Sequence, residues 1–390
     1  MYDKNLEEKE ARVTALLDTS FLAPYLADEH VTDINFDGVK LFLKHNKKGS
    51  VAVADRPPLA QVENIFRQIA DMQNMEFTIN RPILDTEIGF LRVNAVHAAA
   101  SPEGMTFSLR VSRPRLAVTN IADTLISENE QIRNDVAQLL GILVQSGVNI
   151  IISGATGTGK TELQKLLVGY MHDDEQIVLI EDTRDSHIKR LYPQKTIKSY
   201  QTLTASEREH KVTIQDLVKA GLRNFPDWLI VSETRGAEAA DMLDAAKTNH
   251  SIITTLHATG AMNIPSRLMS MIRQSEAYTR MDDTLIGNEI VEFLPIGIHL
   301  ELLEIEGQGV VRGIKEIVAL EGFTTDGPQG TYIYKRANHY DSETQQYKVE
   351  EVINALPQRL LKRVEDSKLY HLLPKVFKEE GGSLHHVEKN

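Results

Sequence analysis

The stretch NIIISGATGTGKTELQKLLVG, residues 149–169, decides the fold. An apolar run from Asn149 to Ser153 predicts a strand. It meets a glycine-rich octapeptide, and TELQKLLVGYM behind it predicts a helix. The octapeptide GATGTGKT, Gly154 to Thr161, fits G-x-x-x-x-G-K-[ST] at every fixed position. Each residue type has a physical reason. Glycines let backbone N–H groups turn inward around phosphates. The helix N-terminus adds a partial positive charge. Lys160 reaches the β- and γ-phosphates of a nucleoside triphosphate, and Thr161 offers a hydroxyl to magnesium. Gly154, Ala155, Thr156, Gly157, Thr158, Gly159, Lys160 and Thr161 are thus the expected nucleotide contacts, with ATP and Mg2+ as cofactors.

Downstream the chain keeps alternating apolar strands with helices: VNIIIS, IVLIE, WLIVS, SIITTL. That pattern predicts an α/β domain with a mainly parallel sheet covered on both faces. Two of these strands end in glutamates, Glu181 in IVLIEDTRD and Glu233 in WLIVSETRG. In a parallel sheet, ligands sit outside the carboxyl ends of the strands. A hydrolase must orient a water in line with the γ-phosphate, and a carboxylate does so. Glu181 and Glu233 are therefore expected as catalytic groups near the phosphates. Asp182 is an alternative to its neighbour Glu181. His257 follows the strand Ile252 to Leu256. It is placed to hydrogen-bond a phosphate or a glutamate, although a lone histidine is as readily structural.

The rest of the chain bounds this reading. Its 390 residues suffice for two or three domains. A polar helix is expected over 1–20 and a smaller α+β domain over 21–118, whose helix carries Val62, Ile65, Phe66 and Ile69 at helical spacing. A linker is expected over 119–127, and the nucleotide domain with its C-terminal extension over 128–376. Ser127 and Glu130 have capping-box spacing, residues 356–376 read as an amphipathic helix, and 377–390 as a disordered tail. No window approaches the ~18 apolar residues of a membrane span, and the charged N-terminus has no signal-peptide core. A cytoplasmic location is expected. With no cysteine, disulfides and thiolate zinc sites are excluded. A net charge of -12 argues against general nucleic-acid binding.

Four segments together resemble the secretion ATPase superfamily of type II and type IV secretion, conjugation and type IV or Tad pili. GATGTGKT stands as its Walker A loop, VLIEDTRD as its Asp box, LRNFPDWLIVSETRG as its Walker B motif and TNHSIITTLHATG as its His box. The conjugation and Tad branch is most similar, and the likeness runs over roughly residues 20–320. The family's Walker B ends in a small residue, Glu, any residue, Arg, which Ser232, Glu233, Thr234 and Arg235 follow. Many nucleotide hydrolases carry an acidic pair at this strand end. The resemblance implies that Ser232 in the first place is a family trait, with magnesium held by Thr161, the phosphates and water and supported by a strand-end glutamate, Glu181 or Glu233. The His-box segment departs from the pattern at His250, where the usual Asp-Gly is absent.

The resemblance implies a RecA-like domain and a hexameric homo-oligomer. It implies arginines of the N-terminal domain reaching the phosphates. Arg92 and Arg110 are the best placed and Arg113 is weaker. Arg235 would neutralise charge on the transferred phosphoryl group. The implied function is ATP hydrolysis that powers substrate transport or pilus assembly by a membrane-spanning secretion or conjugation system. The chain would sit peripherally on the cytoplasmic face of the membrane, with inner-membrane secretion or pilus platform proteins as partners. Alternatives are a pilus extension or retraction motor, a DNA translocase, and a scaffold that binds ATP without turning it over.

Overall fold

The protein is described from a computed structural model over residues 11–54, 56–203, 211–305, 309–341, 346–378 and 383–387. It divides into two compact units. One comprises Met1–Pro114 with Glu304–Val311, the other Arg115–Leu303 with Arg312–Asn390.

The first unit begins with helices α1 (11–18) and α2 (Ala23–Ala27). Strands β1 (Val31–Phe36), β2 (Leu41–His45) and β3 (Gly49–Val53) follow, then helix α3 (Leu59–Met72). Strands β4 (Ile83–Ile88), β5 (Leu91–Val96) and β6 (Thr106–Val111) complete a six-stranded antiparallel sheet in the order β3-β2-β1-β6-β5-β4. Helix α3 buries Val62, Ile65, Phe66, Ile69 and Ala70, the spacing of one helical stripe. Phe66 packs against Phe107 with ring centroids 4.7 Å apart. Each of the four larger side chains contributes about 1.5–3 kcal/mol on burial. Helix α1 is not polar throughout: Val13 and Leu17 lie in this same core.

The second unit carries α4 (Glu130–Gln145), β7 (Ile150–Gly154), α5 (Lys160–Gly169), β8 (Gln176–Glu181), α6 (Ile188–Leu191) and β9 (Thr196–Gln201). Then come α7 (Ile214–Leu222), β10 (Trp228–Val231), α8 (Glu238–Lys247), β11 (Ser251–Leu256), α9 (Ile264–Ile272) and α10 (Asp283–Phe293). The extension comprises β12 (Ile296–Ile305), β13 (Gly309–Thr324), β14 (Gly327–Asp341), β15 (Gln346–Ile353), α11 (Gln358–Asp366) and β16 (Ser383–Val387). The sheet order is β16-β15-β14-β13-β12-β7-β11-β10-β8-β9. Strands β7 to β12 run parallel, and β13 to β16 pair antiparallel. Along β7, Ile150 and Ile152 enter one core while Ile151 enters the core on the other face. A strand buried on both faces has no polar position, which is why this run reads as continuously apolar. Trp228 on β10 is fully buried.

Several segments differ from expectation, each for a tertiary reason. Residues 119–127 are not a free linker. Ile121, Ala122 and Leu125 are buried in the second unit's core. Helix α4 is capped by Asn129, whose side chain accepts from the N–H groups of Gln131 and Ile132. Ser127 instead donates to Glu351 at 2.9 Å, because that carboxylate is buried and needs partners. The C-terminal helix spans only Gln358–Asp366 and is followed by short 3₁₀ turns around Pro374, after which Phe377 is fully buried. Within the expected disordered tail, Ser383–Val387 pairs with β15, whose outer edge offers unmet backbone groups.

Candidate nucleotide site

The phosphate loop leaves β7 at Gly154 and enters α5 at Lys160. Gly154, Gly157 and Gly159 all have positive φ, +154°, +81° and +97°. A Cβ on Gly154 would stand 2.7 Å from the Leu300 carbonyl oxygen, so only glycine lets β12 and the loop approach so closely. Lys160 is 9% exposed, and its ammonium donates to the carbonyls of Gly154 at 2.9 Å and Ala155 at 3.0 Å. Thr158 donates to Ala155 O at 2.9 Å. Ala155 and Thr156 are exposed, while Thr161 is half-buried in the first turn of α5. Gln164 ties that helix to β10 by donating to Val231 O at 3.1 Å.

Glu233 follows β10, two strands from β7, with β11 between. Its two oxygens have separate partners. One lies 2.9 Å from Arg235 Nη2, the other 3.2 Å from His257 Nε2. Burial pushes the Glu233 carboxyl up. The hydrogen bond and charge of Arg235, then the charges of His257 and Lys160, outweigh it and hold the carboxyl below its ordinary value. Lys160 therefore acts on Glu233 through space. Hydroxyl bonds lock the two strand ends: Thr234 to Thr254 at 2.7 Å and Thr255 to Ser232 O at 2.7 Å.

Arg235 also reaches Asp182 at 3.2 Å, so it bridges two carboxylates. Its pairing with Glu233 raises its own affinity for the proton. Glu181 behaves differently from its neighbour. It is 2% exposed, accepts the Ser186 N–H at 3.0 Å, and is pushed above its ordinary value by burial. Of the two adjacent acids, Asp182 is thus the one joined to Glu233 and His257. His250 immediately precedes β11, at the opposite end of the strand from His257, bonded to Thr248 and Ala245.

The arginines of the first unit are placed by its sheet. Arg92 and Arg110 are cross-strand partners, flanked in the same row by Glu87 and Asp33. Like charges directly opposite repel, and the flanking acids offset this. Arg113 has a structural post. Its guanidinium donates to the carbonyls of Leu26, Asp28, Glu29 and Val31.

Three further contacts come from the extension. His299 Nδ1 lies 2.9 Å from the Ser153 hydroxyl, Arg312 Nε donates to Gly157 O at 2.7 Å, and Glu316 accepts the Ala261 N–H at 2.8 Å. No sequence motif marks these residues.

A central strand that feeds a phosphate loop, with a histidine at the end of the next strand and an acid at the end of the one after, defines the class: this is a RecA-like P-loop α/β domain. The chain belongs to the type II/IV secretion system protein family, whose model matches residues 67–300. The conjugal transfer protein TrbB of Rhizobium radiobacter is 28% identical over 331 residues, 82% of this chain and 88% of that protein. An uncharacterised protein of Bacillus anthracis is 28% identical over 334 residues, 84% of this chain and 73% of its own length. Among solved structures, the Legionella pneumophila ATPase DotB is similar in fold, with a TM-score of 0.54 at 20% identity over 80% of this chain and 81% of DotB. The pilus retraction motor PilT with bound ADP gives a TM-score of 0.52 at 17% identity over 78% of this chain and 83% of PilT.

Proposed function

We propose that this chain hydrolyses ATP to power substrate transport by a membrane-spanning secretion or conjugation system. It works as a ring of six copies on the cytoplasmic face of the membrane, docked on inner-membrane platform proteins. One observation carries the hydrolase reading. Glu233 sits at a strand end beside the phosphate loop, held ionised between Arg235 and His257 and within the field of Lys160.

The chemistry follows from those contacts. The phosphates take over Lys160 from the carbonyls of Gly154 and Ala155. Backbone N–H groups from Gly154 to Thr161 cradle them. Glu233 orients the attacking water and receives its proton. His257 fixes one carboxylate oxygen and Arg235 the other, so the base has one orientation. Arg235 offsets charge that develops on the phosphoryl group. Arg92 and Arg110 are assigned to the same charge, from this copy or a neighbour. The donors near the loop, the Thr161 hydroxyl and the Glu233 carboxylate, are the oxygen groups a hard divalent cation takes. Magnesium, when bound there, neutralises phosphate charge. Glu181, committed to Ser186, is assigned to holding its loop, and Asp182 to steadying Arg235.

The test is ATPase rate against protein concentration for wild type and Glu233→Gln, with mass by light scattering. Glutamine keeps the shape and loses the base, so turnover should fall by about 10²–10⁴-fold while ATP binding survives. Wild-type activity should rise as copies assemble. A rate equal in both proteins sinks the assignment of Glu233. A wild type that binds no nucleotide at any concentration sinks the motor.

A further inference from the structure

The β12–β13 ribbon braces the loops of the candidate site at three points. The Ser153 hydroxyl donates to Ile298 O at 3.0 Å, so its oxygen accepts from His299 Nδ1–H at 2.9 Å, one residue before Gly154. Glu316 is 9% exposed and holds Ala261 N–H, four residues past His257. Arg312 Nε–H holds the carbonyl of Gly157 at 2.7 Å, at the tip of the phosphate loop. Arg312 and Glu316 lie beyond residues 67–300, the span of the family model.

The Arg312 bond has a particular consequence. In a trans peptide, C=O and N–H point in opposite directions. Fixing Gly157 O on Arg312 therefore fixes the direction of Thr158 N–H, a donor of the phosphate cradle. Thr158 is buried and its hydroxyl donates to Ala155 O, but the Gly157 side of the peptide has no packing of its own. Gly157 is at φ +81°, and nothing lies within 4 Å of where its Cβ would be. A peptide flanked by such a glycine rotates at low cost.

We propose that Arg312 is a positioning residue of the phosphate loop, which holds the Gly157–Thr158 peptide in its phosphate-binding orientation. This rests on the nucleotide-site reading above. Arg312 acts on whatever phosphate the cradle holds and not on the γ-phosphate alone. ADP and ATP should therefore suffer equally when it is removed.

The experiment is Arg312→Ala and Arg312→Lys in the full chain, with titrations of fluorescent ADP and ATP analogues and steady-state kinetics. Removing a charge-assisted bond should weaken both nucleotides by the same factor, about tenfold. KM should rise with kcat unchanged, and lysine, which still donates to a carbonyl, should recover most of the loss. Unchanged affinity overturns the proposal. So does a loss confined to ATP, which would make Arg312 a direct γ-phosphate contact, or a lysine variant as weak as alanine. Thermal melts check folding. If Arg312→Ala does not fold, Arg312→Gln, which keeps an N–H donor without charge, is compared with Arg312→Lys, and wild-type affinity in both overturns the proposal only if Arg312→Met shares it. A wild type that binds neither nucleotide refutes the nucleotide site itself, a result distinct from these.

Discussion

Gly154→Ala and Gly157→Ala, made separately, should destabilise the second unit by different amounts. Both positions have positive φ, +154° and +81°. Alanine at 157 meets no neighbour within 4 Å, so it bears only the conformational cost, about 1–2 kcal/mol. At 154 the new Cβ would stand 2.7 Å from Leu300 O and 2.7 Å from Thr158 Oγ1. Leu300 is in register with Gly154 on β12, so relief requires a strand of the central sheet to shift. Overpacking of that kind adds about 1–3 kcal/mol. At roughly 2–4 °C per kcal/mol for a unit of this size, the two variants should melt about 6 °C apart, with Gly154→Ala lower. Differential scanning calorimetry measures the gap. Equal melting temperatures, or a lower one for Gly157→Ala, would refute the contact argument.

Two further outcomes concern the carboxylates. With Arg235→Met, burial of Glu233 loses its main opposition, so the Glu233 carboxyl rises. The depressed value of wild type keeps the base ionised until pH falls through it, so the acid limb of kcat/KM should move to higher pH in the variant. A limb that stays put would show that Arg235 does not hold the base. Glu181→Gln should retain turnover and melt higher than wild type near about pH 7.5, with the difference shrinking by about pH 4. The sign follows from the raised native value: the unfolded chain ionises first, so stability falls as pH rises past the ordinary carboxylate range. Lost turnover would instead return Glu181 to the phosphate site.

The legible parts were those encoded locally. GATGTGKT carries its own backbone requirement, and β7, β10 and β11 are apolar because both faces are covered. Alternation alone leaves the choice between Glu181 and Asp182 open, because it does not fix where a strand ends and its loop turns. The structure turns Glu181 inward to Ser186 and Asp182 to Arg235. Ser127 has the spacing of a cap, yet a carboxylate more than two hundred residues away at Glu351 claims it. Arg113 and Arg312 bind backbone carbonyls, a role with no sequence signature: the resemblance points Arg113 at the phosphates, and nothing singles out Arg312.

The buried Trp228 is the chain's one tryptophan, and it sits on β10, five residues before Glu233. Emission excited selectively in tryptophan therefore reports on the nucleotide-site unit alone, since the first unit has no such fluorophore. Circular dichroism reports on both units. Recorded together during heating, the two signals separate the melting of one unit from the other without any label. With no cysteine in the chain, a thiol placed anywhere would be a unique attachment point for a second probe.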